Sequence, residues 1–297
     1  MSIQWFPGHM TAAKKKAEEA LETNDLVIEV LDARIPGSST NPMIDTMRKE
    51  RQRPCLKILN KSDLADPKVT KAWEAYFNAM PHTTAITLSA KSAGDVKKIL
   101  PLCSKLAPHR NSSIKPLRML IMGVPNVGKS TIINALHHKK IAKVGNEPAV
   151  TKQQQRIILN ASMILTDTPG MMWPKISNEI DGYYLAASHT IGINAYDEIE
   201  TAMFLFHTIK DNYAELISKK YKIEPPFPED EEFLKILAKK RGFMVKGGAV
   251  DLYKSATTLL NDYRQGILGS ISLESPVSRA IMLKKLVDRQ AEEASQE

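Results

Sequence analysis

The sequence predicts an α/β domain, a mostly parallel sheet with helices on both faces, followed by an all-helical C-terminal domain. Over the first two-thirds of the 297 residues, short apolar runs alternate with helical patterns, and this alternation is typical of a parallel sheet covered by helices. After about residue 176 the apolar runs stop and only helical periodicity follows. A chain of this length is long enough for two domains. We therefore place them at 1–175 and 176–297.

Six apolar runs predict the strands, because each is short, rich in aliphatic residues and bounded by polar or turn residues. The last two flank Asn160-Ala-Ser162, which predicts a hairpin. The predicted strands are 26–31, 55–59, 85–88, 117–122, 156–159 and 163–166. The helical patterns among them are 11–23, 42–51, 67–79, 93–107 and 129–138.

Five further helical patterns make up the predicted C-terminal domain. Pro225-Pro-Phe-Pro228 separates two of them, because proline lacks the N–H that a helix interior needs. Glycines separate the others. These predicted helices are 179–190, 197–219, 230–241, 249–264 and 276–294.

Composition excludes several classes of protein. Apolar residues make up 43% and charged residues 25% of the chain, which argues against a disordered tail protein or a collagen-like repeat. Two cysteines cannot form a disulfide framework, and Cys55 and Cys103 lie in patterns typical of buried thiols in a reducing compartment. No stretch reaches the ~20 apolar residues of a membrane span, and residues 1–16 have no signal-peptide core. We therefore expect a cytoplasmic protein without a membrane partner, monomeric by default.

The net charge of +8 is unevenly distributed. Residues 1–118 hold 19 Lys and Arg against 12 Asp and Glu, whereas 119–209 are balanced and 210–297 carry +1. A basic first third indicates an anionic partner, with nucleic acid the first candidate. Solvated lysines without a partner are the alternative.

Residues 123–130, Gly-Val-Pro-Asn-Val-Gly-Lys-Ser, match the phosphate-loop pattern G-x-x-x-x-G-K-[ST]. They follow a predicted strand and open a predicted helix, as the pattern requires; the alternative is a chance glycine-rich turn. Backbone N–H groups of such a loop point at phosphate oxygens, Lys129 reaches the β- and γ-phosphates as a catalytic charge, and Ser130 is a ligand for Mg²⁺. The predicted nucleotide contacts of the loop are Asn126, Val127, Gly128, Lys129, Ser130 and Thr131.

Two short motifs predict that the base is guanine. Asn60-Lys-Ser-Asp63 follows a predicted strand, as N-K-x-D does in GTPases. Asp63 can accept hydrogen bonds from guanine N1 and N2, whereas adenine has no donors there. Asn60 supports guanine N7 and the loop, and the Lys61 stem packs over the base. Ser89-Ala-Lys91 matches the companion S-A-K motif, in which the Ala90 N–H bonds guanine O6.

A D-x-x-G motif ends another predicted strand, at Asp167-Thr-Pro-Gly170. Asp167 would hold Mg²⁺ through water, and the Gly170 N–H would sense the γ-phosphate and move when it leaves. Thr151, in the polar segment 145–155, is the candidate switch threonine that closes over Mg²⁺. Together the motifs predict GTP as substrate, GDP as product and Mg²⁺ as cofactor.

The order of these motifs is permuted. Ordinary small GTPases run phosphate loop, switch threonine, D-x-x-G, N-K-x-D and S-A-K, whereas here the base motifs at 60–63 and 89–91 come first. The chain therefore resembles the circularly permuted GTPase family, which implies a P-loop GTPase fold for 1–175. In this order the segment after D-x-x-G leads directly into the helical domain, so we expect movement of the switch to reach that domain.

Three further segments are similar to N-terminal signatures of the members of this family that act in ribosome biogenesis. They are Trp5-Phe-Pro-Gly-His-Met10, Asp32-Ala-Arg-Ile-Pro36 and Asn41-Pro42, so the resemblance covers nearly the whole chain. It implies GTP hydrolysis coupled to late maturation of the large ribosomal subunit, with the subunit precursor and its rRNA as partners. Pro148-Ala-Val-Thr151 departs from the Pro-Gly-Val-Thr common in the family, which changes the geometry expected at Ala149.

The residue after D-x-x-G, where many GTPases place the glutamine that orients the attacking water, is Met171. Methionine cannot make the required hydrogen bonds, so another group must orient the water, and we expect low intrinsic activity raised by a partner. His9, in a Pro-Gly-His turn, is the candidate, since an imidazole can orient or polarise water near neutral pH. Capping the turn and contacting RNA phosphate are the alternatives for His9.

Asn126 is a candidate ligand for K⁺. In GTPases that use K⁺, an asparagine at this position of the phosphate loop coordinates the ion, which neutralises developing charge between the phosphates. Such an ion would partly offset the missing glutamine. The alternative is that Asn126 only hydrogen-bonds the loop.

Basic clusters offer contacts to RNA phosphates, although each alone is also typical of a solvated surface. Few aromatic residues lie between them, which favours recognition of folded RNA by shape and phosphate over base stacking. We predict a GTP-hydrolysing protein of large-subunit assembly; the alternatives are an RNA-binding module regulated by guanine nucleotide with negligible turnover, and a GTPase of tRNA modification or signalling. The clusters are Lys14–Lys16, Arg48–Arg53, Lys139–Lys143, Lys239–Arg241 and Lys284–Lys285.

Overall fold

A six-stranded sheet lies at the centre of the computed structural model. Its strands are β1 (Leu26–Asp32), β2 (Cys55–Asn60), β3 (Thr83–Thr87), β4 (Leu117–Met122), β5 (Gln155–Asn160) and β6 (Met163–Asp167). They are ordered β3-β2-β1-β4-β6-β5, and every described pair is parallel except β5 with β6. The predicted parallel sheet and hairpin are therefore confirmed. The structure describes residues 3–6, 8–110, 112–138, 141–142 and 155–294.

Helices accompany the strands and then continue alone through the described part of the C-terminal region, with two short 3₁₀ turns at Ser62–Leu64 and Ile193–Ala195. The first group is α1 (His9–Thr23), α2 (Pro36–Ser39), α3 (Pro42–Glu50), α4 (Pro67–Asn78), α5 (Ala93–Val96), α6 (Ile99–Leu106) and α7 (Lys129–His137). The second group is α8 (Glu179–Ala187), α9 (Glu198–Ile209), α10 (Ala214–Tyr221), α11 (Asp230–Arg241), α12 (Leu252–Arg264) and α13 (Pro276–Ala294). The predicted helical C-terminal region is confirmed.

Two helices predicted as continuous are each divided in the structure. The predicted helix 93–107 is α5 followed by α6, because Pro101 has no N–H to bond the preceding turn and a new helix starts at Ile99. The predicted helix 197–219 is α9 followed by α10. The residues between them include Asp211 and Asn212, whose side chains compete with the backbone for hydrogen bonds.

The core of the molecule continues from the sheet into the C-terminal helices. Every residue of β1 and β2 is buried, as expected for a parallel sheet covered on both faces. One cluster of buried side chains includes Ile28 and Ile121 in the sheet together with Leu185, Leu205 and Leu259 in the helices. Because one core spans both parts, the domain boundary at 175 stays a prediction.

Both cysteines are free and buried, as predicted. Burial raises the pKa of the Cys55 thiol to about 11, so the neutral thiol is the form present at physiological pH. Among the described residues, no helix combines the length and the apolar character that crossing a bilayer requires.

Candidate nucleotide-binding site

The predicted nucleotide motifs meet at one edge of the sheet. Asp32 and Asn60 are register partners at the carboxyl ends of β1 and β2, and Ile121 and Asp167 are partners on β4 and β6. The carboxyl ends of parallel strands lie at the same edge, where open α/β sheets bind ligands. The order of the strands therefore brings the motifs together in space, although the permutation changes their order along the chain.

The phosphate loop fits tightly against the base motif. Gly128 has a φ of 100°, in the left-handed region, and a Cβ there would overlap the amide nitrogen of Asn60. The next residue, Lys129, starts α7, whose first turn also contains Ser130 and Thr131. The positive end of α7 therefore directly follows the loop, a geometry suited to phosphate.

The Lys129 ammonium is buried against the loop. Its Nζ donates to the carbonyl oxygens of Gly123 and Val124, each at 2.9 Å. Burial lowers the pKa of Lys129 to about 8, and the Asp167 carboxylate partly opposes this effect. The side chain is therefore charged at neutral pH and lies within the loop where we predict the phosphates bind.

The Asp167 carboxylate suits a hard cation. Its Oδ1 is buried without a hydrogen-bond partner in the described part of the chain. Burial raises the pKa of Asp167 to about 6, although the Lys129 charge lowers it. An orphaned carboxylate oxygen fits Mg²⁺, which prefers oxygen ligands and would supply positive charge against phosphate oxygens. Ser130 stays the predicted hydroxyl ligand. Thr151, the third predicted ligand, lies outside the described residues.

Asn60 ties three motifs together with one side chain. Its Nδ2 donates to the Val127 carbonyl in the phosphate loop at 2.7 Å, and its Oδ1 accepts from the Ala90 N–H at 2.9 Å. The base motif, the phosphate loop and the S-A-K segment are thus fixed relative to one another. Since the Ala90 N–H already donates to Asn60, its contact with guanine O6 would have to share that proton, and the contact stays a prediction.

Asp63 is held in the acceptor form that guanine recognition needs. Ser89 Oγ donates to one carboxylate oxygen at 2.8 Å, and Lys91 Nζ donates to the other at 2.9 Å. Partial burial raises the pKa of Asp63, but these two donors outweigh it and hold the pKa below its ordinary value. The carboxylate is therefore ionised at neutral pH and can accept from two guanine donors.

The Lys61 side chain is held by Asp32, a residue for which the sequence motifs predict no role in the nucleotide site. Lys61 has a φ of 64°, and its Nζ donates to Asp32 Oδ2 at 2.8 Å. Asp32 also binds the guanidinium of Arg34, through Oδ1 at 2.9 Å and Oδ2 at 2.7 Å. The Asp-Ala-Arg-Ile-Pro segment contains both Asp32 and Arg34 and could have pointed to this role. Its spacing along the chain does not show that Asp32 contacts Lys61.

The segment after D-x-x-G is packed into the core. Met171 is 1% exposed, and its N–H donates to the Gly123 carbonyl at 3.2 Å. Its own carbonyl accepts from Asn41 Nδ2 at 2.9 Å. Gly170 lies against the phosphate loop, where a Cβ would approach Pro125 Cα to 2.9 Å. The residue at the usual glutamine position therefore lies in the core, and Gly170 lies directly against the phosphate loop. The role of the Gly170 N–H toward the γ-phosphate stays a prediction.

The two remaining candidates are His9, at the start of α1, and Asn126, in the phosphate loop. α1 begins at His9, whose side chain is outside the described residues, and Met10 accepts through Sδ from the Met172 N–H at 3.4 Å. The start of α1 is therefore next to the segment that follows D-x-x-G.

Asn126 Nδ2 donates to the His189 carbonyl at 2.7 Å, which connects the phosphate loop to the C-terminal region. The assignment of K⁺ to Asn126 stays a prediction.

Comparison with known proteins agrees with this arrangement. The model of a family described as 50S ribosome-binding GTPase matches residues 118–245, a range that begins after both base motifs. The chain is 39% identical to ribosome biogenesis GTPase A of Bacillus cereus, over 93% of this chain and 95% of that protein. It is 34% identical to ribosome biogenesis GTPase A of Thermotoga maritima, over 92% and 95%.

A solved structure shows the same fold. The crystal structure of GNP-bound YlqF from T. maritima aligns with a TM-score of 0.64 at 28% identity, covering 89% of this chain and 98% of that one. The alignment therefore spans both the sheet and the helical region of this chain. The chain belongs to the ribosome biogenesis GTPase A family.

Proposed function

We propose that this GTPase hydrolyses GTP to GDP and phosphate while it acts in late assembly of the large ribosomal subunit, bound to rRNA of the subunit precursor. The convergence of the base motif, phosphate loop and D-x-x-G at one sheet edge is the observation that supports the reaction. The names of the relatives and of the matching family support the ribosomal partner. Such a partner implies action in the cytoplasm.

A basic surface supports contact with RNA. α10 and α11 end side by side, and Lys240 Nζ donates to the carbonyl of Lys222. Lys220 lies 3.8 Å from Asp262, whereas no other member of the surface has a salt bridge in the described part of the chain. Cations that lack a carboxylate partner, as most of this surface does in the described part of the chain, suit RNA phosphates. We define the basic C-terminal surface as Lys219, Lys220, Lys222, Lys239, Lys240 and Arg241.

K⁺ and His9 complete the proposed chemistry. K⁺ held by Asn126 would neutralise charge between the phosphates, and the His9 imidazole would orient the attacking water. Two observations support these roles: Asn126 is part of the phosphate loop, and the start of α1 contacts the segment after D-x-x-G. With Met171 in the core, intrinsic turnover is low and the ribosomal particle raises it.

GTP turnover with and without large ribosomal subunits, in K⁺ and in Na⁺ buffer, tests the function. We expect subunits to raise turnover about tenfold or more, as partners of other GTPases do, and K⁺ to support more turnover than Na⁺. Combined Lys239→Ala, Lys240→Ala and Arg241→Ala changes should remove the stimulation and leave unstimulated turnover unchanged. Exposed Lys97, Lys105 and Lys115, replaced together by alanine, form the matched control.

Absence of stimulation in the unmodified protein would rule out the ribosomal role. Turnover that stays negligible under all four conditions, with GTP still bound, would favour the nucleotide-regulated RNA-binding module instead. Equal stimulation of the triple variant and the unmodified protein would place the RNA contact elsewhere on the chain.

The His9→Ala variant separates catalysis from the other two roles of His9. We expect kcat to fall about 100-fold with KM unchanged, the usual size of a lost acid–base or water-orienting group. His207→Ala is the control, because His207 is an exposed histidine on α9. A kcat equal to that of the unmodified protein would remove His9 from the chemistry.

A further inference from the structure

Three charged groups meet in the interior beneath the base motif. The Asp32 carboxylate lies at the end of β1, is fully buried and receives hydrogen bonds from Arg34 and Lys61. Burial raises the pKa of Asp32, but the two cations outweigh it and hold the pKa far below its ordinary value. The carboxylate is therefore a fixed anion that sets the position of the Lys61 ammonium.

The other side of Arg34 contacts the C-terminal region. Its guanidinium carbon lies 4.9 Å from the centre of the Tyr263 ring in the last turn of α12, within the range of a cation–π contact. The neighbouring Arg264 donates to the carbonyls of Ala186 and Ala187 at the end of α8, both at 2.9 Å. Contacts therefore run without a gap from Lys61 through Asp32 and Arg34 to two C-terminal helices.

A second connection joins the same two parts through the backbone. The Ile271 N–H donates to the Leu64 carbonyl at 3.0 Å, and the Asp66 N–H donates to Ser272 Oγ at 3.1 Å. The Leu273 N–H donates to the carbonyl of Arg34 itself at 2.9 Å. The segment 271–273 thus lies along the base motif and Arg34, so a shift of the C-terminal region changes the environment of both.

We propose that Arg34 is a positioning residue for guanine-nucleotide binding, which holds Lys61 over the base through Asp32 and makes nucleotide affinity depend on the C-terminal helices. This inference rests on the proposed guanine-nucleotide function. It has a thermodynamic consequence, because coupling between two sites is reciprocal. A ligand that shifts the C-terminal helices changes GDP affinity by the same factor by which GDP changes the affinity for that ligand.

Nucleotide affinities of Arg34→Gln and Arg34→Lys variants test the proposal. We expect the Kd for GDP to rise about tenfold in Arg34→Gln, a typical size for coupled sites, and less in Arg34→Lys, which keeps the charge but loses the two-pronged contact. The Kd for inosine diphosphate should rise by the same factor, because inosine lacks only the 2-amino group that Asp63 reads. In a titration with GTP, the KM of the Arg34→Gln variant should rise, while its kcat, the rate at saturating GTP, stays unchanged.

Tyr263→Leu removes the contact of Arg34 with α12 and leaves the contacts of Asp32 with Arg34 and Lys61 in place. It therefore tests the proposal even if the Arg34 variants do not fold. We expect a severalfold rise in the Kd for both nucleotides, comparable with typical coupling. Tyr253→Leu is the matched control, since Tyr253 is an exposed tyrosine on the same helix. Thermal unfolding of each variant establishes that the measured protein is folded.

The outcomes separate this inference from the proposed function. Folded Arg34 and Tyr263 variants that bind GDP as the unmodified protein does would overturn the inference alone. A loss of preference for GDP over inosine diphosphate would also overturn it, because damage would then have reached Asp63 rather than Lys61. An unmodified protein that binds no guanine nucleotide would instead overturn the proposed function.

Discussion

Replacing Lys129 with methionine is expected to abolish GTP turnover without destabilising the fold. The ammonium is held by carbonyls of the phosphate loop and is the charge that we predict meets the β- and γ-phosphates, so kcat/KM should fall at least about 100-fold. Stability should respond differently, because burying a cation costs free energy, as the lowered pKa of Lys129 shows. Methionine has a similar length and removes that cost.

Two opposing effects set the expected stability of this variant. Losing the Lys129 hydrogen bonds takes one donor from the Gly123 carbonyl, which still accepts from the Met171 N–H, and takes the Lys129 donor from the Val124 carbonyl. This loss costs about 1–3 kcal/mol, and removing the buried charge offsets it. We therefore expect the thermal midpoint to stay within roughly 4 °C of the unmodified protein. Lys105→Met, on the exposed side of α6, is the control for both measurements. Turnover that survives in Lys129→Met would mean that another group meets the phosphates.

The sequence-based prediction succeeds for features that are local along the chain. Each nucleotide motif ends a strand or opens a helix, and such positions are visible as a change from an apolar run to a polar segment. Because parallel strands end at one sheet edge, placing Asn60, Gly123 and Asp167 on strand ends was enough to bring them together. The permuted order did not weaken this inference, since sheet neighbourhood does not depend on chain order.

Contacts between side chains far apart in sequence could not be predicted from such local patterns. Arg34 meets Tyr263, and Asp66 bonds Ser272, across more than 200 residues, and no periodic pattern encodes such pairs. Net charge does not reveal a local basic surface, for a related reason, and the anionic partner expected for the basic first third stays a prediction. The C-terminal third is nearly neutral in sum, yet the ends of α10 and α11 carry six cations, and in the described part of the chain Lys220 alone among them has a salt bridge, to Asp262.

The second large effect is expected at Asp63. We predict that its ionised carboxylate accepts from the N1 and N2 donors of guanine, whereas an Asp63→Asn amide would present its own NH₂ to the guanine 2-amino group. A polar site left unpaired rejects the wrong ligand strongly, so GTP affinity should fall at least about 100-fold. Xanthosine triphosphate carries a carbonyl oxygen at that ring position, which accepts from the new amide, so its affinity should rise.

Competition binding with the two triphosphates measures this change of preference, and exposed Asp211→Asn is the matched control. The phosphate loop is attached to the base motif through Asn60 rather than Asp63. The variant saturated with xanthosine triphosphate should therefore turn over at a kcat close to that of the unmodified protein with GTP. A variant that still prefers GTP would show that the base is read elsewhere. A kcat that collapses despite full occupancy would show that Asp63, through Ser89 and Lys91, also sets the loop geometry on which hydrolysis depends.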